Sequence, residues 1–242
     1  MPDDRSLIDN LRGRLRKIAF ESLYGPFAWA YDWVSSTFFL GQWRLWQRAS
    51  IPHLAGTRIL EVGMGTGNLQ IDLTRAGFEP FGIDLSPQIL RQAARKARRL
   101  GLPPFRAARA RAQSLPFPNA MFDSVISTFP SDYISDPVTL AELWRVMRPG
   151  GRLVVVLGGW LTTSGGKGKA MEGVARVVYG NHSAPDVQSD EAVAQLARQG
   201  TGLHKAISAL TSRMAEADFT PTARIAANNR GACLLVIGEK EA

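Results

Sequence analysis

Three glycines at alternate positions follow a short apolar run that ends in a carboxylate, in the stretch ILEVGMGTGNL (59–69). A strand that ends in glycines and turns into a helix exposes backbone N–H groups and has no Cβ atoms to block close approach. We therefore predict that a ligand lies on the main chain at Gly63, Gly65 and Gly67. The dinucleotide fingerprint would need a glycine at position 68, where Asn68 stands, so the spacing disfavours NAD.

Asp84 stands at the end of the next strand-like run, about 20 residues after the glycine loop. At that spacing a carboxylate can accept hydrogen bonds from both hydroxyls of a ribose, so the two features together favour a nucleoside-containing ligand. An acid at this place can also cap the following helix, and that alternative stays open for Asp84 taken alone. Glu61, just before the first glycine, can either fix the loop or meet a ligand ammonium, directly or through water.

The elements that must position these residues alternate in type from residue 57 onward. Strand-like runs are found at 57–63, 79–85, 105–110, 122–129 and 151–158, with helix-like segments between them. Such alternation is typical of a parallel sheet with crossover helices. The last two runs, at 222–228 and 232–240, are separated by only the tripeptide NRG and predict an antiparallel hairpin that closes the sheet.

Two segments lie outside this alternation. Residues 1–50 are dense in Trp, Tyr and Phe and predict an N-terminal helical cap in front of a binding domain at 51–242. Residues 159–214 form a Gly- and Ala-rich insertion of the length that lids and binding loops have. The aromatic residues of the cap can either pack it onto the sheet or line an apolar acceptor site.

Composition narrows the class of protein. The chain has 242 residues and one cysteine, Cys233, so it carries no disulfide framework and no Cys-x-x-Cys metal pair. We predict a cytoplasmic protein without a metal site. The N terminus lacks the apolar core of a signal peptide, although LIDNLRGRLRKIAF has the pattern of a basic amphipathic helix that could contact a membrane peripherally.

The formal net charge of +8 raises the question of an anionic partner. Much of the excess lies in residues 91–112, which contain eight Lys and Arg and no acid. A solvated helix face explains such a run, and a footprint for RNA or anionic lipid explains it as well.

Four motifs, in this order and spacing, resemble the class I S-adenosylmethionine-dependent methyltransferases: LEVGMGTGNL, GIDLSPQIL, AQSLPFPNAMFDSVIS and LWRVMRPGGRLVVV. They are most similar to the small-molecule branch that includes the ubiquinone and menaquinone C-methyltransferases. The resemblance covers residues 57–158 and implies an α/β fold. That fold is a Rossmann-like, doubly wound, mainly parallel seven-stranded sheet with an antiparallel last strand, a helical cap and an insertion after strand 5. It further implies S-adenosyl-L-methionine as cofactor and a small, hydrophobic methyl acceptor such as a quinone precursor, a lipid or an aromatic metabolite.

The same resemblance assigns contacts with the cofactor. The glycine loop passes under its methionine part near Glu61, and Asp84 holds the ribose. Where the family usually has an acid for the adenine amino group, this chain has Arg111, so neighbouring residues take that place. The complete set of implied cofactor-binding residues is Glu61, Gly63, Gly65, Gly67, Asp84, Leu85 against the adenine, Ala112 and Gln113 at its amino group, and Thr128 and Phe129 facing the methyl group.

No catalytic residue is assigned from the sequence. Methyl transfer from a sulfonium is an in-line displacement in which positioning supplies much of the acceleration, so a strong base is optional. His182, Tyr31 and Asp132 are candidates for an assisting role, with ordinary surface or packing roles as the alternative. The net charge alone favours an RNA methyltransferase. Against this alternative, the fourth strand ends in STFPSDY and lacks the Asn/Asp-Pro-Pro-aromatic signature of amino-group base methylation. A non-catalytic cofactor-binding protein is the third hypothesis.

Overall fold

The computed structural model describes residues 42–161, 202–228 and 231–242. Seven strands form one sheet in the order β3-β2-β1-β4-β5-β7-β6. The strands are β1 (Arg58–Val62), β2 (Glu79–Asp84), β3 (Arg106–Arg109), β4 (Phe122–Thr128), β5 (Met147–Leu161), β6 (Phe219–Asn228) and β7 (Gly231–Lys240). Strands β1 to β5 pair in parallel, and β7 runs antiparallel to both β5 and β6. The predicted fold class and the antiparallel last strand are confirmed.

Helices connect the strands. The described helices are α1 (Gln42–Ala49), α2 (Asn68–Arg75), α3 (Pro87–Arg99), α4 (Pro137–Val146) and α5 (Gly202–Glu216), with 3₁₀ turns at Ile51–His53 and Asp132–Ser135. Helix α3 begins at Ser86, whose hydroxyl accepts a hydrogen bond from the Ile89 N–H, followed by a proline at the first helical position. Helix α4 begins in the same way at Asp136, whose carboxylate accepts from the Val138 N–H.

Two hydrophobic clusters cover the two faces of the sheet. Because side chains alternate along a strand, Leu60 and Val62 of β1 enter the cluster that also holds residues of α4 and α5. Ile59 enters the opposite cluster, which holds Trp46 of α1 together with residues of α2. Alternation therefore places Glu61 on the same face as Ile59, under α2.

Strand β5 is longer than the run 151–158 predicts, because it begins at Met147 and continues to Leu161 along the antiparallel partner β7. The extension absorbs the first residues of the predicted insertion 159–214, and its last residues belong to α5. The remainder of the insertion, 162–201, lies outside the described residues. None of the helices within the described ranges is long and apolar enough to cross a membrane.

Of the predicted cap 1–50, the described part is α1 and the turn that follows it. Trp46 is only 2% exposed, and a Cβ atom at Gly159 of β5 would collide with its indole ring. Helix α1 is also tied to α2, since Arg44 donates two hydrogen bonds to the Asp72 carboxylate and Arg48 donates a third. These contacts fix α1 beside the carboxyl ends of β4 and β5.

Candidate functional site

The predicted site residues converge at the carboxyl edge of the sheet. Strand β1 lies between β2 and β4. The sheet therefore continues toward β2 and β3 on one side of β1 and toward β4 and β5 on the other, which makes the end of β1 a switch point. In open parallel α/β sheets this switch point, beyond the carboxyl ends of the strands, is where ligands bind. The loop 63–67 follows β1, Asp84 ends β2, and Thr128 ends β4.

The glycine loop adopts a backbone that side chains disfavour. Gly63, Gly65 and Gly67 have φ angles of +74°, +55° and +81°, all in the left-handed region. The loop is anchored to the neighbouring strand, because the N–H groups of Gly63 and Met64 both donate to the Ile83 carbonyl at 2.9 Å. The loop is therefore pre-formed.

The three glycines are not equivalent. A Cβ atom at Gly65 would meet nothing within 4 Å, so this is where the loop is open to a ligand. A Cβ at Gly63 would lie 3.1 Å from the Tyr133 hydroxyl, and one at Gly67 would lie 2.5 Å from the Phe105 ring. Gly67 thus serves internal packing, while Gly65 leaves space for a bound molecule.

Asp84 connects the loop to the start of α3. Its Oδ2 accepts a hydrogen bond from the Gly65 N–H at 3.0 Å, and its Oδ1 accepts from the Ser86 N–H at 2.9 Å. The side chain of Ser86 caps α3, so Asp84 is not the helix cap that its position alone also allowed. Burial raises the pKa of Asp84 above its usual value, while the hydrogen bonds from Ser86 and Gly65 oppose that rise.

Glu61 lies completely buried beneath the loop, 1% exposed. Its carboxyl group accepts a 2.7 Å hydrogen bond from Gln70 Nε2 of α2, which also donates to the Phe81 carbonyl at 3.2 Å. Burial raises the pKa of Glu61 to about 8; the Gln70 hydrogen bond lowers it, and the negative charge of Asp84 raises it further. At neutral pH the carboxyl group is therefore mostly protonated.

The end of β4 is covered by α1. Gln47 Nε2 donates to Thr128 Oγ1 at 3.1 Å, and the indole of Trp43 packs on the Phe129 ring with a centroid distance of 3.9 Å. Phe129 has a φ of +52°, which is unusual for a bulky residue. The Gln47 Oε1 atom is buried and has no hydrogen-bond partner among the described residues. These side chains form a mixed aromatic and amide wall.

Tyr133 links the end of β1 to the end of β4. Its hydroxyl group lies 2.8 Å from Ser127 Oγ and donates to the Val62 carbonyl at 3.3 Å. Ser127 Oγ donates to the same carbonyl at 2.9 Å. Sequence reasoning missed Tyr133, Gln70 and Gln47, because each acts through a partner that only the folded chain brings near.

The remaining predicted residues within the described ranges are Leu85, Ala112, Gln113 and Asp132. Leu85 is 53% exposed directly after Asp84, as an adenine-packing residue would need to be, and Ala112 is buried. The Gln113 amide donates to Asp136 Oδ2 at 2.9 Å, so its N–H is already engaged at the start of α4. Asp132 is exposed at the start of a 3₁₀ turn.

His182 and Tyr31 lie outside the described residues, so their assisting roles stay predictions. Within 42–161, 202–228 and 231–242, no group of three His, Cys, Asp or Glu side chains could hold a metal ion.

The strand order with its antiparallel β7 defines a Rossmann-like fold, with the glycine loop after β1 and the carboxylate at the end of β2. A solved structure of an S-adenosyl-L-methionine-dependent methyltransferase from Methanococcus maripaludis has a TM-score of 0.60 and 15% identity to this protein. The likeness covers 89% of this chain and 92% of that one and shows the shared fold. Residues 59–151 match the family described as a methyltransferase domain. The resemblance found in the sequence is confirmed.

Two relatives make the likeness more specific. A demethylmenaquinone methyltransferase of Deinococcus radiodurans is 35% identical over 144 residues, covering 57% of this chain and 59% of the relative. Its counterpart from Thermus thermophilus is 36% identical over 140 residues, covering 55% of this chain and 63% of the relative. The chain thus spans about three fifths of the length of these curated relatives.

Proposed function

We propose that the protein transfers a methyl group from S-adenosyl-L-methionine to a small hydrophobic acceptor of the quinone-precursor type. The observation that carries this proposal is the left-handed glycine loop, open at Gly65 and tied to Asp84 at the switch point of a methyltransferase domain. The names of the relatives, demethylmenaquinone methyltransferases, support the acceptor class. The free, buried thiol of Cys233 fits the cytoplasmic location that we propose with it.

The residues present fit the cofactor. The space in front of Gly65 accommodates a ligand against bare backbone, and the Asp84 carboxylate keeps further lone pairs for ribose hydroxyls after accepting one hydrogen bond on each oxygen. Exposed Leu85 offers an apolar surface for the adenine. For the adenine amino group, the main chain at Ala112 is better placed than the Gln113 amide, which would first have to release Asp136.

When bound, the cofactor supplies an electrophilic methyl group on a sulfonium. The chain's own contribution is then to hold the acceptor in line with that group, which is worth much of the rate enhancement of a bimolecular transfer. We assign this positioning to the wall of Trp43, Phe129 and Thr128 at the end of β4. Its aromatic surface favours a planar, apolar acceptor over a charged one.

The test has two arms. Calorimetry with S-adenosylhomocysteine should show binding that NAD does not compete with, and a radiolabelled methyl group should move from the cofactor to demethylmenaquinone added in detergent. Tight NAD binding without a response to S-adenosylhomocysteine would reject the cofactor assignment. Binding of S-adenosylhomocysteine with transfer only to RNA would keep the cofactor and reject the acceptor.

A further inference from the structure

Helix α3 carries four arginines on one side. Its residues Ile89, Ala93 and Ala97 are buried against the sheet. Arg91, Arg95, Arg98 and Arg99, which we call the arginine face, are all exposed. At 3.6 residues per turn they span an arc of about 100°, centred almost opposite the buried side chains. They therefore project straight into solvent along a helix that is about 20 Å long.

The arginine face is not neutralised by the described part of the protein. From residue 85 to residue 122 the sequence contains eight Lys and Arg and no Asp or Glu. None of the four arginines forms an ion pair with a carboxylate in the described ranges. Elsewhere basic side chains do find such partners, for example Arg44 with Asp72. Like charges at spacings of three and four residues repel one another along a helix, so this arrangement is suited to an external anionic partner.

The surroundings extend the positive surface. Helix α3 covers β2 and β3, and β3 is the edge strand of the sheet, where Arg109 is also exposed. Directly after the helix, Leu100 is 46% exposed and adds an apolar side chain. Helix α3 begins three residues after Asp84, and the arginine face begins at Arg91, about one turn further along the helix.

We propose that the arginine face docks the protein onto an anionic phospholipid surface. Basic residues aligned on an amphipathic helix are the arrangement that anionic lipid headgroups attract. Single-stranded RNA is bound largely through stacking of its bases on aromatic side chains, and α3 contains no Phe, Tyr or Trp. Docking goes beyond the proposed methyl transfer and does not depend on it, because it is measured without cofactor or acceptor.

The experiment is flotation of the full chain with vesicles of phosphatidylcholine alone or with added phosphatidylglycerol, at low and high salt. The quadruple variant R91Q/R95Q/R98Q/R99Q is compared with R75Q/K205Q/R213Q/R224Q, which removes the same number of exposed positive charges elsewhere. We expect the first variant to lose roughly 10²–10³-fold in apparent affinity for anionic vesicles, and the control to stay within a few-fold. High salt should weaken wild-type binding.

Several results would overturn the proposal. Unchanged vesicle binding by the arginine-face variant would place the contact elsewhere. Equal loss of vesicle binding in both variants would show that only the net charge of the protein matters. Binding of wild type to phosphatidylcholine alone, as strongly as to anionic vesicles, would remove the electrostatic basis. A labelled RNA hairpin bound tightly by wild type but not by the arginine-face variant, without vesicle binding, would identify a nucleic-acid surface. Matching thermal unfolding of the variants checks that they are folded.

Discussion

The two halves of the site are formed by different kinds of groups. On the side of β1 and β2, backbone groups of a short loop are held by one carboxylate, with Gly65 and Asp84 only 19 positions apart. On the side of β4, side chains from distant parts of the chain meet, with Gln47 and Thr128 separated by 81 positions. The first half can be recognised as a motif, whereas the second exists only in the folded protein. We therefore expect the proposed cofactor half to be most sensitive to backbone changes, and the proposed acceptor half to be most sensitive to changes in side-chain packing.

The largest expected effect is that of Gly65→Val. A branched side chain in the left-handed region costs roughly 1–2 kcal/mol, and at this position it would also fill the space left for the ligand. We expect calorimetry to detect no binding of S-adenosylhomocysteine. Gly77→Val is the matched control, since Gly77 has a φ of +87° and an equally open Cβ position away from the site. Equal loss of binding in both variants would show that strain alone is responsible.

Asp84→Ala should weaken S-adenosylhomocysteine binding by roughly 1.5–3 kcal/mol, the range for hydrogen bonds to a charged group. The same variant also leaves the Gly65 and Ser86 N–H groups without their acceptor, so some loss of thermal stability is expected. Calorimetry and thermal unfolding measured together separate the two effects. Unchanged affinity with a collapse of stability would mean that Asp84 serves only the loop.

Glu61→Gln tests the buried carboxyl group through pH. Its pKa of about 8 in the folded protein lies above the ordinary value of 4.5, so between these values the folded state holds a proton that the unfolded state has released. Stability should therefore fall as pH rises through this window, by up to about 1.4 kcal/mol per pH unit. The variant should lose this component, measured as denaturant unfolding at several pH values. Parallel profiles for wild type and variant would contradict the assignment.

The smallest effect is expected on the acceptor side. Trp43→Ala removes an aromatic pair with Phe129 worth about 0.5–1.5 kcal/mol. The lost indole would also remove an aromatic contact of similar strength from a planar acceptor, so the KM for demethylmenaquinone should rise roughly 2- to 13-fold, while the dissociation constant for S-adenosylhomocysteine stays unchanged. Trp144→Ala serves as a control, because that indole lies over Lys240 on the surface of α4. A change in cofactor affinity as large as the change in KM would remove the distinction between the two halves.

Particular residues show where sequence reasoning reached its limit. The loop, Asp84 and the alternation of strands with helices were predictable, because a glycine spacing and an alternation of periods are local properties. The role of Gly67 was not, because its constraint is the ring of Phe105, 38 positions away. The Gln113 amide was expected to be available to a ligand, but the start of α4 brings Asp136 within hydrogen-bonding distance. The extent of β5 was likewise decided by its pairing with β7.

By itself the sequence determined a bare glycine loop after one strand and a carboxylate at the end of the next, since these depend on residue types at short spacing. Only the tertiary structure decided the state of the groups around them. It buried Glu61 against Gln70, which raises the pKa of that carboxyl group, and it set Trp43 on Phe129. Burial and contact between distant segments depend on how whole elements pack, and local spacing does not encode that packing.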